Sequence, residues 1–436
     1  MTNCVHKTLA AVRAIEDVHV RRSASFKLLC ASVLFSIKKA RDKAEIGTLK
    51  LLIRTRWFDA TDRRDKVFAL VGLTSDINQS FVDYSKSYED LMRDLNLMLL
   101  EGRIKPTWGN VLDVLSLITR EEDDEIAEPS WVVDVFKPQN FEGSYTPVMG
   151  GYPSKEPHIQ RKPELRFPEE YGPECLRIRG TVFDTIAHTA PFPTFLREGG
   201  SQPVGTYDLQ NISAYRDWLL RVDAILETQR TDTTDADSMY RPTGESHNDA
   251  FWRTLCCNRT STYGLKTPTD GSSYHAFLTN LIILEASPEF VRIKRWILGV
   301  ATASSPTMAY YFRGRNWFLR YALPFAVPLF AICFNVAWSK AWESWQDHLH
   351  IKQRDFQTCH MAWMWGRQFA ITEQGLIGLV PVAARVGDSV GFFAGCRVPY
   401  ALRRRGEGYV LIGDSYLHGV MDGEGEKFET EMLKIM

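Results

Sequence analysis

Residues 58–73, Phe-Asp-Ala-Thr-Asp-Arg-Arg-Asp-Lys-Val-Phe-Ala-Leu-Val-Gly-Leu, constrain the fold more than any other stretch, because a dense charged turn runs straight into an uncharged apolar segment closed by glycine. Asp59 or Thr61 can cap a helix N-terminus there, and Asp62 and Asp65 suit the positive end of its dipole. Val67, Phe68, Leu70 and Val71 then form the buried face, and Gly72 is the natural C-cap. The expectation is a short, well-capped helix docked on a core, with its aspartates facing solvent or Arg63 and Arg64.

With 436 residues the chain is long enough for two or three domains with proper cores. A net charge of −1 with 24% charged residues gives no electrostatic reason to expect nucleic acid or a broadly anionic partner. Eight cysteines, at 4, 30, 175, 256, 257, 333, 359 and 396, make no CxxC pair and no compact disulfide framework, which points to a reducing setting inside a cell. From Met1 to Arg22 charges interrupt every apolar run before it reaches signal-peptide length, so a cytoplasmic location is expected.

Apolar residues at Leu9, Val12, Ile15 and Val18, the denser run from Phe26 to Ile37, and Ile46 to Ile53 predict three helices before the charged turn. The Lys38, Lys39 and Arg41 end of the second is read as a solvated C-terminal turn. Ser87 opens a Ser-x-x-Asp capping box with Asp90, and Tyr88, Leu91, Met92, Leu95, Met98 and Leu99 follow at helical spacing as a packing face. The acidic run 121–125 lacks the spacing of a calcium loop and reads as surface. Between 137 and 173 prolines and glycines abound and periodicity disappears, as in a linker or irregular wrap. Leu176 to Phe183 alternates as a strand, Ile212 to Leu226 reads as a helix, and 228–247 is polar and turn-forming, which predicts a mobile loop.

The run Tyr321 to Trp338 is uncharged, flanked by Arg313, Arg315, Arg320 and Lys340, with Trp317, Trp338 and Trp342 near its ends. Those are marks of a membrane span, so membrane association through 321–338 is open. Its shortness and the internal Pro324 and Pro328 favour a buried element of a globular core, continued by the face Trp338, Trp342, Trp345 and Leu349.

After it comes a block of short strands: Phe369 and Ile371, Leu376 to Val380, Val390 to Phe393, Val398 to Leu402, and Tyr409 to Ile412. Gly387-Asp388 and Gly406-Glu407-Gly408 mark reversals, and Gly413 a bulge. Closing such a sheet on itself removes two exposed edges, so a small antiparallel barrel or roll is expected. Phe369, Ile371, Tyr400, Leu402, Tyr409 and Leu411 are expected to share one core, and Arg403, Arg404 and Arg405 to crowd a strand exit near solvent. The fold class is thus α+β. The organisation is a helical region 1–136, a linker and mixed segment 137–260, a helical region 261–365, a β domain 366–424 and a tail 425–436.

Few groups suggest chemistry. Cys396, His418 and Asp414 or Asp422 supply the residue types of a nucleophile, a base and an orienting acid, though a buried structural thiol is the ordinary finding for such a cysteine. His348, His350, Cys359 and His360 contain zinc-ligand types but at spacings that fit no standard site. Cys256 and Cys257 read as helix packing. With no phosphate loop, dinucleotide fingerprint, nucleophile elbow or zinc-protease motif in the sequence, no cofactor, metal or catalytic residue is assigned.

Several blocks, taken in order, resemble one family. Residues 60–73, Ala-Thr-Asp-Arg-Arg-Asp-Lys-Val-Phe-Ala-Leu-Val-Gly-Leu, resemble the ATDPRDKVFALLGL signature of fungal heterokaryon-incompatibility (HET domain) proteins, with Arg63 in place of proline. Residues 81–87 resemble its PDYSKS step, and 112–116 with 129–134 resemble LDVLS and PSWVPDW. Residues 251–255 resemble FWRTL, and 366–424 resemble a C-terminal ending that closes on a CYVHGIMDGE-like run. The residues that carry the likeness are Asp62, Arg64, Asp65, Phe68, Gly72, Trp131, Trp252, Arg253, Gly387, Asp388, Gly395, His418, Gly419, Met421, Asp422 and Gly423. The ALSYVWG strand and WxxRxWTxQE helix of the HET domain proper do not occur, so the resemblance covers the region that follows it and no HET-domain residue carries over. What it implies is an accessory or regulatory region in fungal non-self recognition and incompatibility-type cell death, with a protein partner in that pathway. The alternatives are an NAD-cleaving enzyme, by analogy of the HET domain with Toll-receptor-type domains, and a protein anchored in the membrane through 321–338.

Overall fold

The computed structural model describes residues 47–55, 58, 60–74, 76–104, 111–118, 120, 129–136, 163–167, 175–193, 209–229, 239–259 and 270–282, scattered positions between 340 and 364, and 366–436. The helices expected in 6–37, the acidic run 121–125, most of 137–173 and the apolar run 321–338 lie outside the described residues. Among the described residues no helix is long and apolar enough to cross a membrane. The chain divides into two compact units, one of residues 1–189 with 366–436 and one of residues 190–365.

In the first unit, α1 (Thr48–Thr55) buries Leu49, Leu51, Leu52 and Ile53. Its N-terminus is capped from a distance, the backbone N–H of Thr48 donating to Asp76 Oδ2 at 3.1 Å. The charged stretch does become a helix, α2 (Asp65–Val71), and buries Val67, Phe68, Leu70 and Val71 as its pattern predicts. It starts later than expected, and Thr61 does not cap it, while Asp59 lies outside the described residues; Arg64 occupies the N-cap position without a side-chain cap. Asp62 folds the turn instead, its Oδ1 accepting the Arg64 backbone N–H at 2.9 Å. Gly72 stands at the C-cap but in right-handed helical geometry, φ −74°, so its lack of a side chain is not what ends the helix. The capping box holds: Ser87 Oγ accepts from the N–H of Asp90 at 3.0 Å and opens α3 (Tyr88–Leu100). Leu91, Met92, Leu95 and Leu99 are buried as predicted, joined by Asn96 and Leu100, whereas Tyr88 and Met98 are only half-buried. A 3-10 segment, Val111–Leu117, follows with nearly its whole length buried.

The C-terminal block forms the expected barrel, but with different staves. Strands β5 (Arg367–Thr372), β6 (Ile377–Pro381), β7 (Ser389–Phe393), β8 (Tyr400–Arg405) and β9 (Gly408–Asp414) lie where the turn residues place them. The closed ring, however, runs β2-β11-β9-β8-β7 and back to β2. Here β2 is Leu176–Pro191, twice the length expected and drawn from the mixed segment far upstream, and β11 is Glu431–Ile435, from residues expected to be a tail. Strands β5, β6 and the short β10 (Tyr416–Leu417) extend the sheet from β2 outside that ring, and β1 (Leu165–Arg166) also pairs with β2. The pairing of β11 with β9 is parallel, so the barrel is antiparallel in all but one seam. At the closing seam glycines let the strands approach: a Cβ on Gly180 would stand 2.5 Å from the carbonyl oxygen of Phe392, and one on Gly391 would strike that of Thr181.

Both faces of the sheet are buried, which separates the six apolar residues expected in one core. Leu402 and Leu411 face each other in the β8–β9 ladder, and Tyr400 lies on their side. The alternate residues Ala401, Val410 and Ile412 join Ile186, Val390, Phe392, Ala370, Val380 and Leu417 in a second apolar cluster against β5, β6 and β10. Phe369 and Ile371 are buried without joining that cluster, and Tyr409 is only half-buried.

In the second unit, α4 (Leu209–Gln229) buries Tyr215, Trp218 and Val222 at helical spacing. The stretch expected as a mobile loop contains a short hairpin, β3 (Met239–Tyr240) with β4 (Glu245–Ser246), which leads into α5 (His247–Leu255). Residues 272–282 are helical. Phe192, Tyr215, Trp218, Phe277, Phe356 and His360 make an aromatic core, with the Phe192 and Trp218 rings 4.7 Å apart and edge-on.

Two glycines separate the roles of position and conformation. Gly413 has φ +153°, it sits at the β8–β9 bulge, and a Cβ there would lie 2.9 Å from the Ile118 carbonyl oxygen and 3.0 Å from Pro381. Gly413→Ala is expected to destabilise by about 2–4 kcal/mol, combining backbone strain with overpacking. Gly72→Ala, with open space around it, should instead stabilise by about 0.4–1 kcal/mol. Urea unfolding of the two variants checks both signs.

Candidate functional site

The signature residues assemble into interlocking polar contacts around α2. The Arg64 guanidinium forks the Asp62 carboxylate, Nε to Oδ1 at 3.0 Å and Nη2 to Oδ2 at 2.7 Å, which holds that carboxyl below its usual range. Its Nη1 donates to the carbonyls of Tyr84 and Lys86 at 2.7 and 2.9 Å. The Tyr84 hydroxyl donates to Asp65 at 2.5 Å, and its ring meets Phe68 edge-on at 4.9 Å. Two blocks noticed separately in the sequence, 60–73 and 81–87, are therefore one structural device.

A third block is fastened beside it. Arg63 Nη2 reaches Asp134 Oδ2 at 3.0 Å and the guanidinium lies 3.9 Å above the Tyr88 ring. The Tyr88 hydroxyl donates to Asp134 Oδ1 at 2.8 Å; burial first, then that carboxylate, pushes its phenol up. Asn96 completes the joint by pairing with the backbone of Val133 in both directions, at 2.9 and 3.1 Å. Trp131, from the same block, is fully buried.

From there the contacts continue into the barrel. Ser130 Oγ accepts the N–H of Leu411 at 3.0 Å, while the Ser130 N–H donates to the Met436 carbonyl at 2.8 Å. Arg120 bridges the carbonyls of Leu411 and Ser130 at 3.0 and 2.9 Å. The hydroxyls of Ser116 and Tyr400 meet at 2.8 Å. None of Asn96, Arg120, Ser116 or Ser130 stood out as a site in the sequence; the one available signal was Asn96, a polar residue inside an apolar helical stripe.

Two ion pairs are anchored in the C-terminal sheet. Arg367 and Asp414, 3% and 1% exposed, form a buried ion pair, and Arg367 also donates to the Asp414 carbonyl. The Gln368 amide donates to the carbonyls of Pro381, Val382 and Ala384, gathering the loop after β6. Asp388 takes Arg403 in a two-point fork at 2.9 and 2.8 Å and also accepts the Arg385 N–H. Of the three arginines expected near solvent, Arg403 is thus anchored, while Arg404 and Arg405 are exposed. Gly387, Gly395, Gly419 and Gly423 all have positive φ and shape the connecting turns. Met421 is buried, and the Asp422 N–H donates to Glu424.

The candidate chemistry does not assemble. Asp414 is committed to Arg367, and His418 shares a hydrogen bond with the Tyr416 hydroxyl through Nδ1 at 2.8 Å. Cys396 is fully buried, and that burial, with Asp113 nearby, raises its thiol well above the ordinary range. In the second unit both ring nitrogens of His360 are engaged, Nε2 with the Tyr215 hydroxyl at 2.9 Å and Nδ1 with the Leu255 carbonyl at 3.1 Å. Among the described residues no group of three metal-binding side chains occurs, and His350 lies outside them. Cys256 and Cys257 are buried, as packing predicts, and burial lifts the Cys256 thiol to about 12. Trp252 donates to Asp249 at 2.9 Å, and Arg253 stacks 4.7 Å from the Trp252 ring and pairs with Glu245.

Two expectations follow. Arg367→Met should cost about 3–5 kcal/mol, since it strands the Asp414 carboxylate in the core, and Arg367→Met/Asp414→Leu should recover much of the loss; chemical denaturation of the single and double variants measures this. Burial lowers the His360 pKa to about 4 from 6.5, so the unfolded state binds the proton more readily. Stability of the second unit is therefore full above pH 6.5 and declines as pH falls toward 4, by at most about 1.4 kcal/mol per pH unit. Unfolding midpoints at pH 7.5 and pH 5 should diverge in the native chain and converge in His360→Asn.

Residues 331–431 match the model of the Het-6 beta-barrel domain. That stretch holds β5 to β10 but not β2, the strand that closes the ring. Heterokaryon incompatibility protein 6, OR allele, of Neurospora crassa is 40% identical over 65 residues, which is 14% of this chain and 10% of the relative. The chain thus spans about a tenth of the curated relative it matches, and no solved structure matches it. The C-terminal barrel region thus matches the Het-6 beta-barrel domain, and a 65-residue stretch of the chain is similar to a fungal heterokaryon-incompatibility protein.

Proposed function

We propose that the chain is an accessory or regulatory part of the heterokaryon-incompatibility machinery, working through protein contacts in non-self recognition and incompatibility-type cell death. The observation that carries this reading is the use to which the signature residues are put. Asp62, Arg64, Asp65, Arg63, Asp134, Arg367, Asp414, Asp388 and Arg403 are engaged with one another, with the Tyr84 hydroxyl or with backbone carbonyls, while Ser116, Arg120 and Ser130 fasten the helical layer to the barrel. Residues spent in this way build a rigid platform. A catalytic centre needs groups left available to a substrate, and the cysteine, histidine and aspartate that suggested one are each committed to folding contacts. Recognition is accordingly favoured over cleavage of NAD.

Expression of the chain in a fungal strain, followed by fusion with strains of differing incompatibility type, tests the proposal. Hyphal death scored by vital-dye uptake should depend on the chain and be lost with Gly413→Ala if that variant is cleared from the cell, but kept with Gly72→Ala. Equal death with and without the chain would overturn the reading. Purified chain incubated with NAD should release no nicotinamide above a blank; turnover would move the assignment to an enzyme.

A further inference from the structure

Helix α4 carries two apolar stripes. Tyr215, Trp218 and Val222 pack into the core of the second unit, while Leu219, Leu220 and Leu226 fall on the neighbouring face. That second stripe, with Phe251 of α5 and with Tyr274, Leu281 and Ile282 of the helix at 272–282, walls a groove of about 340 Å³ that lies wholly within the second unit. Its floor is closed to solvent: Phe251, Tyr274 and Leu281 are at most 8% exposed. Its lips are open, with Leu220 61% and Ile282 67% exposed, so two of the large apolar side chains left in solvent among the described residues gather on this one groove.

One wall also carries a carboxylate. Asp223 lines the groove between Leu220 and Leu226, and among the described residues no hydrogen bond or ion pair occupies it. It acts on the floor, because its charge, after burial, is what raises the Tyr274 phenol. The cation of the groove, Arg216, stands two turns away along α4, about 10 Å, and is tied to Asp217 at 3.1 Å. An apolar hollow with one open carboxylate is complementary to a molecule of the opposite build. We propose that this groove binds an amphiphilic amine, its aliphatic or aromatic body against Phe251, Tyr274 and Leu281 and its ammonium on Asp223. The volume falls at the lower end of the roughly 300–1,000 Å³ usual for small-ligand sites, which suits one small molecule. A partner helix, about 10–12 Å across with its side chains, would leave most of its bulk outside such a hollow. An anionic amphiphile would set its head against Asp223. None of the residues that carry the recognition reading takes part, so the two stand independently.

Isothermal titration of the full chain with three eight-carbon probes, octylammonium, 1-octanol and octanoate, at neutral pH and low ionic strength reads the chemistry of the site. Octylammonium should bind most tightly and octanoate most weakly. Asp223→Asn should weaken octylammonium about three- to fivefold and leave 1-octanol unchanged. Glu227→Gln, which removes the same charge from an exposed position of α4 outside the groove, should change neither. Leu220→Gln, at the lip, should weaken octylammonium and 1-octanol alike. All three changed side chains are exposed, so thermal unfolding of the variants should match that of the native chain. Absence of octylammonium binding, equal binding of octanoate, or octylammonium binding untouched by Asp223→Asn would each overturn the proposal. So would a dimer in sedimentation that Leu220→Gln dissolves, because the groove would then belong to a second copy of the chain.

Discussion

Strand β2 is the constraint on which the first unit turns. A sheet with two free edges leaves a row of unpaired N–H and C=O groups on each, and β2 satisfies both at once by pairing with β11 and with β7. Its 16 residues are long enough to hold β1 and β5 as well. Close approach at the β7 seam is made possible by Gly180 and Gly391, whose missing side chains would otherwise strike the opposing carbonyls. The barrel is therefore made from two distant parts of the chain, 176–191 and 389–435, and neither closes it alone.

Closure of this kind is entropically demanding, because strands far apart in sequence must meet before the ladder repays them. Side-chain contacts that tie the N-terminal layer to the barrel offset part of that demand. Ser130 and Arg120 satisfy the backbone of Leu411, Ser130 also holds the Met436 carbonyl, and Ser116 meets Tyr400. Asn96 and Asp134 then relay the same segment to α3 and the charged turn. The motifs that look like functional signatures are, in the folded chain, the joints of a scaffold. Their chemistry is that of fully paired polar groups in partly dry surroundings, where each partner removed leaves another unsatisfied.

That use of the charged residues directs attention away from buried chemistry and toward surfaces. Arg403, engaged by Asp388 from the turn before β7, lies on the same strand as the exposed Arg405, two residues on, so β8 both holds the fold and reaches the surface. The second unit shows a parallel economy, with His360 held neutral between Tyr215 and Leu255 inside an aromatic core.

Local patterns in the sequence determined what local physics can determine. The buried face of α2, the Ser87 capping box, the stripe of α3 and the turns between β5 and β9 were all legible, because helical spacing, a capping hydroxyl and glycine at a reversal act over a few residues. So was the tendency of the last block to close, since exposed edges are unfavourable in any sheet. The details that failed were those a neighbour distant in sequence supplied. Thr61 caps no helix, and Asp76 serves as a distant cap for α1; β2 and β11, not two of the local strands, complete the ring; and the burial of both sheet faces by other elements parts Leu402 from Ala401 into separate clusters. Alternation in a strand reveals two faces without saying what will cover them. Only the tertiary structure decided which backbone each guanidinium would grip, because a hydrogen bond between residues hundreds apart leaves no mark on the spacing of either.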